Sequence, residues 1–205
     1  HRNDRDASIF ITSFVRKLVA DLQSDINRDE RLNEAQRGRI MASTLQKFAR
    51  SIVEKNHGTT EWPFTKHFRL IGQSWKDVVW GDVIAFFPDI DRSAYSWKKF
   101  EKQLHDNDFE QTNEWRELTE IYFQLCQFYN AAGFADLILR AQKALAENPG
   151  LKECSYFIID EYQDFNLAEE ALINQLVINL KGLLVLCDDE QVLYEKLKSG
   201  KPTLI

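Results

Sequence analysis

Hydrophobic positions along the chain fall into two periods. Ile9-Phe10-Ile11 (within 8–13), Ile40-Met41-Ala42, Tyr156-Phe157-Ile158-Ile159 and Leu183-Leu184-Val185-Leu186 are short uncharged runs that predict strands. The third is uniformly apolar and reads as a buried, parallel-type strand. Between them apolar residues recur three and four apart, the spacing of one helix face. Val15, Leu18, Val19, Leu22 and Ile26 form one such stripe, and Leu45, Phe48, Ala49, Ile52 and Val53 another. Trp115, Leu118, Tyr122, Leu125 and Tyr129 form a third, followed by Phe134, Leu137, Ile138, Ala141 and Leu145. A last stripe is Leu172, Ile173, Leu176, Val177 and Leu180. Ser43-Thr44-Leu45-Gln46 and Asn166-Leu167-Ala168-Glu169 are capping-box starts, and Asn148-Pro149-Gly150 is a helix stop.

Strand-helix-strand units at both ends with helices between them predict an α/β fold, a mostly parallel sheet flanked by helices. Residues 57–97 lack a clear period. Trp62, Trp75, Trp80, Phe86, Phe87, Tyr95 and Trp97 crowd there, punctuated by Pro63 and Pro88, so short helices and loops are expected. Its tryptophans have two uses: core of a small lobe, the expected one, or stacking on nucleic acid. Asn27 to Gly38 is charged and reads as a solvated loop or short helix.

The chemistry concentrates after two strands. Asp160-Glu161-Tyr162-Gln163-Asp164-Phe165 follows the third, and Cys187-Asp188-Asp189-Glu190-Gln191-Val192-Leu193-Tyr194 follows the fourth. A helix between the two strands makes a right-handed crossover, which brings both acidic loops to one sheet edge. Open α/β sheets place ligands at such carboxyl ends. One carboxylate there can hold magnesium and the next can orient and deprotonate water. Taken alone, the first loop is also readable as solvated acids after a strand.

These segments resemble the UvrD/Rep group of superfamily 1 helicases. Asp160 to Asn166 is similar to its Walker B segment, motif II, and Asp188 to Tyr194 to its motif III. Gly133-Phe134-Ala135-Asp136-Leu137-Ile138 resembles the helix before motif II. Ile9-Phe10-Ile11-Thr12-Ser13-Phe14 resembles motif Ia, and Ala42-Ser43-Thr44-Leu45-Gln46-Lys47-Phe48 resembles motif Ib. The resemblance implies a partial RecA-like P-loop NTPase domain from residues 1–56 and 132–205, with a mostly helical insertion at 57–131 called 1B. It implies that Asp160 binds the Mg2+ of MgATP, with Glu161 nearby as general base. Gln163 and Asp164 would tie motif II to its neighbours, and Gln191 would sense the γ-phosphate. Nucleic-acid contacts are expected from Thr12, Arg16, Lys17, Thr44, Lys47 and Tyr194, because hydroxyls and basic groups at helix starts suit phosphates.

Several departures qualify this reading. No Gly-x-x-x-x-Gly-Lys-(Ser/Thr) phosphate loop occurs among the 205 residues. Cys187 and Val192 replace a usual glycine and serine, and Glu195 follows Tyr194 where an aromatic is usual. Ser13 replaces a common aromatic, and Gln46-Lys47 a common His-Ser. The expectation is therefore part of an ATP-dependent DNA helicase that lacks its second RecA-like domain, with no cofactor bound to this chain alone. The alternative is an ATPase-inactive module for DNA or protein binding; a carboxylate nuclease is more distant. Partners expected are single-stranded or partly duplex DNA and the second RecA-like domain.

Composition adds limits. With 44% hydrophobic residues the chain should be globular, and its net charge of −6 opposes nonspecific nucleic-acid binding by the whole surface. No run reaches the roughly 20 apolar residues of a membrane span. Cys126, Cys154 and Cys187 read as reduced core residues of a cytoplasmic protein, and the histidines have no metal-ligand spacing.

Overall fold

A computed structural model describes residues 7–57, 65, 67–106, 112–151 and 154–187. The elements run β1 (Ile9–Ser13), α1 (Arg16–Arg28), α2 (Glu34–Arg37), β2 (Ile40–Ala42), α3 (Leu45–Lys55), β3 (Arg69–Ile71), α4 (Gln73–Ala85), α5 (Trp97–Asp106), α6 (Asn113–Tyr129), β4 (Ala131–Gly133), α7 (Phe134–Glu147), β5 (Tyr156–Asp160), α8 (Leu167–Val177) and β6 (Gly182–Val185). The predicted strands all form, and they make one parallel sheet in the order β2-β1-β5-β6. Every crossover between them carries helix, as parallel pairing requires.

Side chains alternate across a strand, so Phe10, Thr12, Phe157 and Ile159 share one face. All four are buried. Phe10 stacks on Phe48 of α3 at 4.1 Å and on Phe157 at 5.0 Å. Below them α3 packs on α7, and α7 on α8. The opposite face differs from the uniformly buried strand expected at 156–159. Tyr156 and Ile158 are only partly buried, and Leu184 is 51% exposed. The reason is coverage: among the described elements α1 lies over β1 and β2 and leaves β5 and β6 more open. The first stripe divides accordingly, with Val19 and Ile26 buried and Val15 and Leu18 exposed.

A second, two-stranded parallel sheet pairs β3 with β4, Arg69 opposite Ala131 and Ile71 opposite Gly133. Loops and short helices were expected around β3, and three-residue strands such as Ala131-Ala132-Gly133 carry no alternation to read. The aromatic segment does build a core. Trp80 stacks on Phe100 at 5.0 Å, Trp97 meets Tyr122 edge-on at 5.9 Å, and Trp115 is 4% exposed. Trp75 is the departure, lying on the surface, and Trp62 lies outside the described residues. The buried side chains of both regions are continuous, because α5 packs on α7 and α8.

Two local expectations shift. The N-cap of α3 is Thr44 rather than Ser43; the Thr44 hydroxyl accepts the Lys47 N–H at 3.3 Å. Only Cys126 is a core cysteine, its thiol pushed up to about 12 by burial, whereas Cys154 is partly buried and Cys187 exposed. The expectation at Asn166 holds in full, with both capping-box hydrogen bonds to Glu169. Among the described residues no helix is long and apolar enough to cross a membrane.

Glycine positions give a sharp check. A Cβ on Gly133 would lie 2.5 Å from Asp136 Oδ1 and 2.7 Å from the Tyr122 hydroxyl, whereas a Cβ on Gly81 meets nothing within 4 Å. Gly133→Ala should destabilise the chain, while Gly81→Ala, inside α4, should stabilise it by roughly 0.5–1 kcal/mol. Phe10→Ala should cost about 3–5 kcal/mol, since the ring is fully enclosed. Urea unfolding of the three variants reads these signs directly.

Candidate active-site edge

The carboxyl ends of β1, β5 and β6 lie side by side. Ser13 and Asp160 are register partners, the last pair of the β1-β5 ladder. Beyond β6 the Leu186 N–H donates to the Ile159 carbonyl at 2.8 Å, and the Tyr162 N–H donates to the Leu186 carbonyl at 3.1 Å. The chain therefore leaves β6 directly beside the Asp160-Glu161-Tyr162 turn. Asp188, Asp189, Glu190, Gln191 and Tyr194, which carry the motif III expectations, lie outside the described residues.

Glu161 adopts the left-handed conformation, φ 52° and ψ 46°. For a residue with a side chain this costs roughly 1–2 kcal/mol, so the surroundings must impose it. Tyr162 and Phe165 supply the anchor: both rings are enclosed, at 0% and 1% exposure, the first opening and the second capping a 3-10 turn over Tyr162–Asp164. Phe14, directly after β1, meets Phe165 edge-on. The Gln163 amide donates to Glu161 Oε2 at 2.6 Å and is itself buried, which fixes the direction of the carboxylate. Asp164 is 6% exposed, facing inward rather than to solvent. Asp160 and Glu161 remain partly exposed.

A second layer holds the turn from below. Glu169 is buried, and its carboxylate accepts the Asn166 backbone N–H at 3.0 Å and the Gln46 side-chain amide. The Asn166 side chain in turn meets His105 Nδ1 of α5 at 3.0 Å. Burial holds the His105 pKa below its usual 6.5, which keeps the ring neutral and able to accept that amide N–H. Nothing in the sequence pointed to His105 or Gln46 as partners of this loop, because both links join residues far apart in the chain. The buried Asp136 of α7 had a local signal, the i,i+4 spacing to Arg140. Arg140 Nε donates to it at 2.8 Å and the Tyr122 hydroxyl at 3.1 Å, yet burial still raises its pKa.

The expected nucleic-acid residues divide. Arg16 and Lys17 are exposed on the first turn of α1, and Lys47 is exposed on the first turn of α3. Since β1 and β2 are neighbours, these cations lie at the same carboxyl edge. Thr44 is partly buried and occupied as an N-cap. Thr12 is 0% exposed, so its hydroxyl does not reach the surface.

For a metal, no group of three or more His, Cys, Asp or Glu side chains capable of holding an ion occurs among the described residues. Among the described residues an all-protein cage is therefore not the fit. Asp160 with Glu161 beside it suits magnesium, which keeps most of its waters and takes one or two carboxylates together with phosphate oxygens.

A parallel sheet flanked by helices, with an acidic turn at one carboxyl edge, is the architecture of a partial RecA-like α/β domain. Residues 2–203 match the model of the UvrD/REP helicase N-terminal domain, and the chain belongs to that family. Among curated proteins it is similar to DNA helicase II of Escherichia coli (strain K12), 28% identical over 97 residues, 45% of this chain and 13% of that relative. DNA helicase II of Salmonella typhimurium is 27% identical over 97 residues, with the same coverage of 45% and 13%. The match thus spans about an eighth of each relative's length.

The depressed His105 pKa makes a signed prediction. In the unfolded chain the ring takes a proton near 6.5, while in the folded chain it does so only at lower pH. Stability should be fully present above 6.5 and decline as pH falls from there toward the folded value. Urea midpoints at about pH 7.5 and about pH 5.5 should show a smaller decline in His105→Asn than in the parent chain.

Proposed function

We propose that this chain supplies the Walker B and motif III half of an ATP site, and part of a single-stranded DNA surface, in a superfamily 1 helicase or translocase. The observation that carries the reading is the Asp160-Glu161 turn. It sits at the carboxyl end of β5, with Glu161 in a left-handed conformation and its carboxylate held by Gln163. In this reading Asp160 holds Mg2+, and Glu161 accepts a proton from the attacking water. Gln163 orients Glu161, Asp164 braces the turn from inside, and Gln191 is assigned to the γ-phosphate. MgATP, when bound, supplies the phosphoryl group and the cation that neutralises its oxygens. Residues 1–56 and 132–205 are taken as the RecA-like domain and 57–131 as the insertion. Arg16, Lys17 and Lys47 would carry backbone contacts, with Thr12, Thr44 and Tyr194 as further candidates. DNA and a second RecA-like domain are the partners this reading requires.

A second reading, an ATPase-inactive module that binds DNA or protein, draws on Cys187, Val192 and Glu195 at the altered motif III positions.

The 205-residue chain alone should show no ATP turnover, because the phosphate-loop amides and lysine are not in its sequence. In any longer form that carries a phosphate loop, Glu161→Gln should lower turnover by about 10²–10⁴-fold and leave nucleotide binding intact. Asp160→Asn should instead weaken Mg2+-dependent binding, since a hard cation prefers a charged oxygen. Lys47→Ala should lower DNA affinity with a shallower salt dependence and leave basal turnover unchanged. Parental turnover in Glu161→Gln would overturn the motif II assignment in favour of the second reading.

A further inference from the structure

Asn166 closes the acidic turn and opens α8, and its polar groups are engaged on several sides. Its side-chain oxygen accepts the Glu169 N–H at 3.0 Å, and its carbonyl accepts the Glu170 N–H at 2.8 Å. Its own N–H donates to Glu169 Oε2 at 3.0 Å. The side-chain NH2 remains, and it meets His105 Nδ1 at 3.0 Å. Because the oxygen is committed to the cap, the amide has one orientation, with its NH2 toward α5. A ring nitrogen that receives an amide N–H is the acceptor, which places the imidazole proton on Nε2. His105 is 61 residues from Asn166 in sequence and is the next-to-last residue of α5, so the link joins two distant segments.

We propose that His105 is a positioning residue for the Asp160-Glu161 turn: α5 reaches Asn166 through the imidazole and so sets where the turn ends. For its consequence in turnover the inference rests on the reading of Glu161 as the group that takes a proton. Three observations carry it. The first is the packing between the two ends of the turn. Tyr162, Gln163, Asp164 and Phe165, the residues from Glu161 to Asn166, are all buried. A short segment with every side chain enclosed moves as a unit. A shift at Asn166 is therefore passed to Gln163, whose amide holds Glu161 Oε2 at 2.6 Å. The second is direction. Phe100 and Leu104 anchor α5 by apolar contact, which is non-directional, whereas the His105 hydrogen bond fixes an orientation. The third is origin. Gln46 reaches the same loop from α3 through Glu169, while His105 reaches it from the segment taken as the insertion. The insertion thus has its own hold on the turn.

The test follows imidazole nitrogen resonances and amide hydrogen exchange in the 205-residue chain at neutral pH. His105 of the parent chain should be the Nε2–H tautomer; the Nδ1–H tautomer overturns the proposal, and this measurement needs no variant. His105→Leu has no acceptor. It should speed exchange of the Tyr162, Asp164 and Phe165 N–H groups about fivefold and leave those of β1 at the parental rate. His105→Asn, whose side-chain oxygen can stand where Nδ1 stood, should restore the parental rates in the turn. Equal acceleration in the turn and in β1 overturns the proposal, because it reduces the residue to global stability. So does an unchanged turn in His105→Leu, or a turn in His105→Asn that exchanges as fast as in His105→Leu. In a longer form that carries a phosphate loop, His105→Leu should lower kcat about fivefold or more with KM for ATP unchanged, and His105→Asn should not. Parental kcat in His105→Leu overturns the positioning of Glu161. Parental turnover in Glu161→Gln instead removes the reading of the site and leaves the exchange result in place, so the two failures are separable.

Discussion

The pairing of β5 with both neighbours is the constraint on which the rest depends. Hydrogen bonds to β1 on one side and β6 on the other fix its register, with Phe157 between Phe10 and Leu183. A slip of one residue would turn Phe157 and Ile159 out of the core and bring partly exposed Tyr156 and Ile158 in. The aromatic stack of Phe10 on Phe48 and Phe157 makes that slip costly. Because the register is fixed, Ser13 and Asp160 end level, and the turn after Asp160 meets the exit of β6. Chemistry at this edge is thus set by packing in the middle of the sheet.

The same packing explains which parts of the molecule were legible in sequence. Strands β1, β2, β5 and β6 announced themselves as uncharged runs, and parallel topology followed from helices lying between them. The Asp160-Glu161 turn was legible for the same reason, since a carboxylate pair directly after such a run has few other places to be. Strands β3 and β4 were not legible, because three residues, one pair of them alanines, carry no period. The helices α4 and α7 begin where the two strands end. Thr12 shows the limit of motif reading: a hydroxyl next to exposed cations in sequence alternates inward on the strand and is fully buried. Trp75 fails the other way, a large ring in an aromatic-rich segment that ends on the surface.

The left-handed Glu161 could not be foreseen from composition, since nothing about a glutamate favours positive φ. It follows from the rings on either side. Tyr162 must enter the core two residues after the strand's last residue, and Phe165 three residues later. A chain that ends a strand and at once begins a tight 3-10 turn has to reverse its direction within Glu161. The backbone cost is borne by burial of two aromatic rings, worth more than the strain. As a result Glu161 is aimed by the fold, and its carboxylate needs only Gln163 to settle its final orientation.

Carboxylates are held in two ways in this arrangement. Asp136 is matched by a guanidinium, so its charge is spent within the core between α6 and α7. Around the β5 turn amides are among the partners of the carboxylates. Gln163 holds Glu161, while Gln46 and the Asn166 backbone N–H hold Glu169. An amide donor stabilises a carboxylate without cancelling its charge. Gln46 adds a mechanical consequence. It sits between Thr44 and Lys47 on the first turn of α3, so an anion drawn to Lys47 acts on the same turn that grips Glu169. Displacement of that turn would be felt one hydrogen bond later at Asn166, the residue that begins α8 and ends the acidic loop. The acidic loop and the first turn of α3 are in this way joined by one short hydrogen-bonded chain.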